Sequence, residues 1–374
     1  MSHRLRILQI YPKGDFHTGA AIQLRDLAHG LVTRGHRVFV VTRPSERWAA
    51  EGREAGFTHL GIFRSAGDPI GAARLAALMR AEQVQVAHAH KGGGRTLVLL
   101  ARLFGRRPPL VVNRGVSFPL SFGGRLLDGS RLVARVVAVC EAIKADLVAQ
   151  GIPAEKIEVV YSGTDLERFD PAGATRERVR AELEVPAGAA LVTQIGVREP
   201  KGNDDALRAF ARIRAARPDA RLLLVGAKPR ARRSLEAVSR ALGLGPAVTI
   251  WGYRDDIPEI LAASDVSVDA SHAGLGITGS LRESLAMETP VVATDAIGNP
   301  ELVRHGETGL LVPPRNPDAL AGAVLRLLAD PAWAKALGRA GRQWVTERFS
   351  TRVKVDRLEA LYDRVAAPGV GRQS

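Results

Sequence analysis

Short apolar runs alternate with amphipathic stretches along almost the whole chain. Arg6–Tyr11 reads as a strand, followed by a glycine-containing loop, Gly14–Gly19, and an amphipathic helix from about Ala20 to Arg34. Gly35 closes that helix, in the left-handed conformation favoured just past a helix end. Val38–Thr42 is the next strand, and Val84–His88, Leu110–Asn113 and Val136–Cys140 are further short apolar runs. Helical periodicity separates them at Ala72–Ala81, Arg95–Phe104 and Glu141–Ala149. The alternation then restarts. Leu191–Ile195, Arg221–Val225, Val248–Trp251, Val266–Val268, Val291–Ala293 and Leu310–Val312 read as strands, with helices at Asp204–Arg217 and Ser234–Leu242. Strands interleaved with helices of this length predict parallel sheets covered on both faces.

The expected fold class is therefore α/β: two Rossmann-like domains with parallel sheets facing across a crevice at the carboxyl ends of the strands, where such sheets bind ligands. Between the cycles, Asp165–Val185 carries Pro171 and Gly173 and shows no clear strand, so the linker is placed there. The resulting domains are 1–167 and 168–349, with a terminal amphipathic helix and frayed tail at 350–374.

A length of 374 residues suits two domains of roughly 100–200 residues each. No apolar run approaches the ~18–20 residues needed to span a bilayer. The N-terminus runs straight into a strand pattern, without the apolar stretch and cleavage site of a signal peptide. Cys140, the one cysteine, has no internal disulfide partner and fits a reducing compartment, so a cytoplasmic location is expected.

Net charge is +14, and residues 1–167 hold 23 basic against 14 acidic side chains. A basic first half suits peripheral contact with an anionic membrane surface at the inner face of the cell membrane, or an anionic acceptor. An Arg-rich soluble surface explains it equally well. Nucleic acid is not expected, because aromatics are 5% of the chain and do not interleave with the basic residues.

Candidate chemistry concentrates in the second cycle. In Gly274–Pro290, Gly276 and Gly279 flank a loop, with Ile277 and Thr278 between them, that leads into a helix of about Leu281–Glu288. Backbone N–H groups at a helix N-terminus suit a phosphate, and Glu283 in the first turn suits ribose hydroxyls. Gly196–Gly202 follows the first strand of this cycle and supplies Arg198 and Lys201, two cations able to reach a pyrophosphate. In the first cycle, Gly19 opens a helix and lets backbone approach a ligand. His17 and His90 lie in loop or strand-exit positions open to acceptor contact, while His88 reads equally as a core histidine. Zinc-site spacing and Asp-x-Asp are both absent from the sequence, so no metal and no other cofactor is expected.

Four segments resemble glycosyltransferase family 4, of the GT-B fold, and the likeness covers nearly the whole chain. TGAAIQLRDLAHGLVTRGHRVFVVT looks like that family's first glycine loop, helix and second strand. VVAVCEAIKADLVAQGIPAEKIEVVYSGTDLERF is similar to the segment closing its N-terminal domain, with Cys140 and Ser162 where Ser and Asn are usual. VTIWGYRDDIPEILAASDVSV, which contains Arg254, looks like the segment near the donor base, and ETPVVATDAIGNPELVRHGETGLLVPPRNPDAL resembles a later C-terminal motif.

The resemblance implies a retaining, metal-independent transfer of sugar from a nucleotide-sugar donor to a glycan or lipid-linked acceptor, in polysaccharide or glycolipid assembly. By the same resemblance Arg198 and Lys201 would hold the donor pyrophosphate and Glu283 the ribose. Two departures stand out. Leu275 replaces the first of the family's two Glu residues. Asn113-Arg114-Gly115 stands where many relatives place a His, and Arg114 there suits either an anionic acceptor or plain surface. A nucleotide-sugar epimerase and a catalytically silent nucleotide-sugar-binding protein are the rival functions.

Overall fold

The computed structural model describes residues 4–115, 119–273, 276–296 and 298–367. The chain divides into two compact units: Met1–Gly163 with Thr351–Ser374, and Thr164–Ser350.

The first unit holds a seven-stranded parallel sheet in the order β3-β2-β1-β4-β5-β6-β7. Its strands are β1 (Arg6–Ile10), β2 (Arg37–Val41), β3 (Thr58–Leu60), β4 (Val86–His90), β5 (Leu110–Arg114), β6 (Arg135–Ala138) and β7 (Ile157–Val159). The order reverses between β1 and β4, which pair in register from Ile7↔Val86 to Ile10↔Ala89. The terminal helix, Thr351–Ala366, belongs to this unit and buries Val355, Leu358, Leu361 and Tyr362 in its core. Its approach to the helix Gly19–Thr33 is tight, because a Cβ on Gly30 would lie 2.6 Å from a Val355 methyl. Gly30→Ala would force these helices apart.

The second unit holds a six-stranded parallel sheet in the order β10-β9-β8-β11-β12-β13. Its strands are β8 (Leu191–Ile195), β9 (Arg221–Val225), β10 (Val248–Trp251), β11 (Val266–Asp269), β12 (Val291–Thr294) and β13 (Leu310–Val312). Here the reversal falls between β8 and β11, paired Val266↔Val192 and Ser267↔Thr193. Strands this apolar are buried on both faces by helices, which is why continuous Val/Leu runs mark them.

The structure corrects several expected bounds. β4 runs to His90 instead of stopping at His88, because both imidazoles pack inward on its covered face. The helix expected at Arg95–Phe104 spans Gly92–Ala101, its first turn being the glycine run, and ends in a 3-10 turn, Arg102–Phe104. A helix, Glu177–Glu182, lies inside the stretch expected to be linker and belongs to the second unit. Among the described residues no helix is long and apolar enough to cross a membrane.

Candidate functional site

In the second unit, β8 and β11 flank the point where strand order reverses, and ligands of open α/β sheets bind beyond the carboxyl ends of such strands. After β8 the chain makes a single 3-10 turn, Glu199–Lys201, and then enters the helix Asn203–Ala216. Gly202 joins them at φ 60°, and a Cβ there would lie 2.0 Å from the carbonyl oxygen of Ala270. Only glycine fits this approach between the β8 loop and the end of β11.

That turn sends Lys201 inward. Its ammonium donates to Asp269 Oδ2 at 2.5 Å and to Ser280 Oγ at 3.0 Å, and the side chain is buried. Asp269, the last residue of β11, also accepts from the Ser271 N–H at 3.1 Å and from the Thr278 hydroxyl at 3.0 Å. Burial alone would raise the pKa of this carboxyl. The Lys201 charge and the hydrogen bonds outweigh burial and hold it below the usual carboxylate range. An ammonium has three N–H donors, and the third of Lys201 has no partner among the described residues.

Thr278 is the N-cap of the helix Gly279–Ala286, but its hydroxyl goes to Asp269 and no side chain caps the helix. The first-turn N–H groups and the positive end of the helix dipole therefore lie beside the Lys201 ammonium, a suitable pairing for an anion. This helix starts two residues before the expected Leu281, so Glu283 falls in the second turn and the first turn carries no acid. The start moves because Thr278 is the extended residue, at φ −76° and ψ 138°, which lets Gly279 and Ser280 enter the helix. Helical side chains lean toward the N-terminus. Glu283 does so, with Oε1 3.6 Å from where a Cβ on Gly279 would stand. Gly276 and Ile277 are buried before the cap. Leu275 lies outside the described residues.

Arg198, three residues before Lys201, is exposed and its side chain has no hydrogen-bond partner among the described residues. With Gly202, Asn203, Arg208, His272 and Arg315 it lines a cavity of about 550 Å³. Lys201, Ser280 and Glu283 are not in its walls, so this cavity lies beside the convergent polar groups and not at them. Those groups mark the site better, because a binding pocket needs a few aimed polar contacts as well as volume.

Arg254 is not brought to this cluster. It follows the edge strand β10, stacks 4.3 Å over the Trp251 ring, and pairs with Glu182 at 2.7 and 3.0 Å and with Asp256 at 2.8 and 2.7 Å. Hydrogen bonds from Arg254 and Arg178 hold Asp256 well below the usual carboxylate range.

The first unit places its candidates in four different settings. Gly19 is the first helical residue after Thr18, whose Oγ accepts from the Ala21 N–H, and nothing crowds the position of a Cβ on Gly19. His17 is exposed, with Nε2 2.7 Å from Arg47 Nη1. His90 turns into the core, where Nε2 meets Gln9 Oε1 at 2.7 Å and its ring stacks 4.3 Å from His88. Arg114 ends β5 and donates from Nε to Asp128 Oδ2 at 3.0 Å. Asp128 is fully buried, with Arg95 Nη1 2.5 Å from its other oxygen.

Sequence reasoning missed Asp269 and Ser280 as partners of Lys201, and Asp128 as the partner of Arg114. A signal for Asp269 existed: it is the acid that closes an apolar strand, beside the strand whose exit carries Lys201.

Comparison with known proteins adds family information. The model "Glycosyltransferase Family 4" matches residues 17–168, and "Glycosyl transferases group 1" matches residues 189–330. The GDP-mannose-dependent alpha-(1-6)-phosphatidylinositol monomannoside mannosyltransferase of Mycobacterium tuberculosis is 33% identical over 235 residues, 60% of each chain. The chain thus spans about 60% of the length of that curated relative. Among solved structures, a glycosyltransferase from Rickettsia africae superposes with TM-score 0.90 at 22% identity, over 98% of this chain and 100% of that one. Anabaena HepE, solved with UDP and glucose, gives 0.82 at 22% identity, over 96% and 100%. At these identities the structural likeness establishes the fold alone.

Proposed function

Because the chain belongs to glycosyltransferase family 4, of the GT-B fold, we propose that it moves a sugar from a nucleotide-sugar donor to a glycan or lipid-linked acceptor, with retention of configuration and without a metal. The carrying observation is the ammonium of Lys201, held rigidly by Asp269 and Ser280 beside an uncapped helix N-terminus. Breaking a sugar–phosphate bond leaves a nucleoside diphosphate whose new charge must be stabilised as it forms. Donors fixed in advance do this without reorganising, and loss of one such donor elsewhere costs about 10²–10³ in rate. In this reading the spare N–H of Lys201 and the helix N-terminus take the diphosphate. Arg198 joins them, and Glu283 accepts from the ribose hydroxyls. The loop Gly276–Gly279 brings backbone to the donor.

The M. tuberculosis relative is named for a phosphatidylinositol monomannoside, which favours a lipid-linked acceptor here too. Nucleotide sugars are cytoplasmic in this reading, and the basic first unit would touch an anionic membrane. Gly19 is the donor-side candidate of that unit and His17 and Arg114 are its acceptor-side candidates, whereas His90, the third acceptor-side candidate, is buried in its core against Gln9 and His88.

The test is incubation of nucleotide sugar with and without a glycan or lipid-linked acceptor, with EDTA present. Release of nucleoside diphosphate only with acceptor, and a product anomer matching the donor by NMR, is the expected result. Epimerised donor without acceptor would make the chain an epimerase, and binding without turnover would make it a silent binding protein.

A further inference from the structure

The helix Phe122–Gly129 in the first unit is built inside out. Its acid, Asp128, is fully buried, held by Arg95 and Arg114, and Gly124 shares that inner face. Two of its three large apolar residues point the other way: Phe122 is 70% exposed and Leu126, one turn on, 58%, while Leu127 is half-buried. Helices of soluble proteins bury the apolar face and expose the polar one. Here ion pairs anchor the inner face, so the outer one is free to bury its apolar groups elsewhere.

The neighbourhood repeats the pattern. Leu132, Leu103 and Phe104 are also more than half exposed, and Arg102 joins their two loops by donating to the Leu132 carbonyl at 2.7 Å. Five of the eight large apolar side chains exposed among the described residues thus fall between positions 103 and 132. Residues 101–140 carry seven arginines and a single acid, the buried Asp128. Arg106, Arg107, Arg125 and Arg131 are exposed around the apolar groups. Apolar side chains ringed by cations match an anionic bilayer, where the chains enter the acyl boundary and the guanidinium groups meet phosphates.

We propose that the outer face of Phe122–Gly129, with Leu132 and the Arg102–Phe104 turn, docks the protein on an anionic lipid surface. The assignment names the surface of the membrane contact within the proposed function, yet stands on this unit's own side chains, so loss of the donor-site reading leaves it intact.

Flotation of the full chain with phosphatidylglycerol-containing and pure phosphatidylcholine vesicles tests it. The expected result is binding to the anionic vesicles alone, weakened by salt. Phe122→Ser with Leu126→Ser should lower that binding at least about tenfold, since two apolar side chains lose their burial, and Arg125→Glu should lower it less. All three positions are exposed, so the melting temperature and the donor-induced shift of the variants should match the wild type. No flotation by the wild type, or equal flotation by the double variant, overturns the proposal. So does a concentration-dependent dimer in sedimentation that the double variant abolishes, which would make the face a contact between copies of this chain.

Discussion

Each unit buries polar side chains along the two strands that flank its reversal of strand order, and the two do it with opposite chemistry. In the second unit neutral Thr193, Gln194 and Ser267 are buried on the strands, but the strand exits add an ion pair, Lys201 just past β8 with Asp269 at the end of β11. In the first the buried groups form a neutral layer under the terminal helix. Gln9 of β1 donates to the Tyr362 hydroxyl at 3.1 Å, His88 of β4 shares a 2.6 Å hydrogen bond with the same hydroxyl, and His90 meets Gln9. Burial, reinforced by the Lys354 charge, pushes the pKa of His88 down to about 3 and that of His90 well below its ordinary value. Desolvation acts on both clusters. A charge survives it in the second unit because a carboxylate, two hydroxyls and a helix end surround it. Among the described residues no carboxylate is hydrogen-bonded to the histidine layer. A buried charge is costly to keep, so the place where one is kept is the better candidate for handling a charged ligand.

Removing either side of this contrast has a ranked set of outcomes. Asp269→Asn leaves the Lys201 ammonium buried beside a neutral amide and should destabilise the second unit by about 3–5 kcal/mol, read as a fall in its urea midpoint. Lys201→Ala should lower transfer about 10²–10³-fold, and a variant with wild-type turnover would remove Lys201 from the mechanism.

Acid should act on the first unit. An unfolded histidine takes a proton near pH 6.5, whereas folded His88 and His90 stay neutral until far lower pH. Their layer is therefore fully stable above about pH 6.5. Below it each histidine costs up to about 1.4 kcal/mol per pH unit, until the pH reaches its folded pKa. Unfolding of the wild type at pH 7.5 and 5.5 should differ by about 3 kcal/mol from the two histidines together, and His88→Asn should flatten the slope. An unchanged slope would show that the imidazoles titrate freely. Glu283→Gln should weaken donor binding about tenfold, as loss of one charge-assisted contact does. Arg254→Gln should change donor affinity least and stability by about 1 kcal/mol or less, because its guanidinium already serves Glu182 and Asp256.

The same contrast explains what the sequence made legible. β8, β9, β10 and β13 lie at the residues their hydrophobic runs mark, because buried parallel strands are apolar on both faces. β4 was misplaced by two residues since histidine reads as polar, and its partners, Gln9 and Tyr362, lie 79 and 274 positions from His88. β3 and β7, of three residues each, and the helix Glu46–Ala55, largely polar, gave too little periodicity to register. At the site, Lys201 and the helix behind Gly279 were legible as a cation after a strand and a glycine loop before a helix. Asp269 was not, because its meaning depends on β11 lying next to β8, which no local pattern states. The outward Phe122–Gly129 helix escaped for the opposite reason: three glycines and an exposed apolar face look like a loop.

The central claim is that the Lys201 cluster is a donor site that needs no metal. The measurement that meets it most directly is thermal-shift binding of the full chain to a panel of UDP-, GDP-, ADP- and TDP-sugars, with and without EDTA. A rise in melting temperature selective for one base, unchanged by EDTA and absent in Lys201→Ala, is the predicted result. No shift with any nucleotide, a shift abolished by EDTA, or one that persists in Lys201→Ala would contradict it.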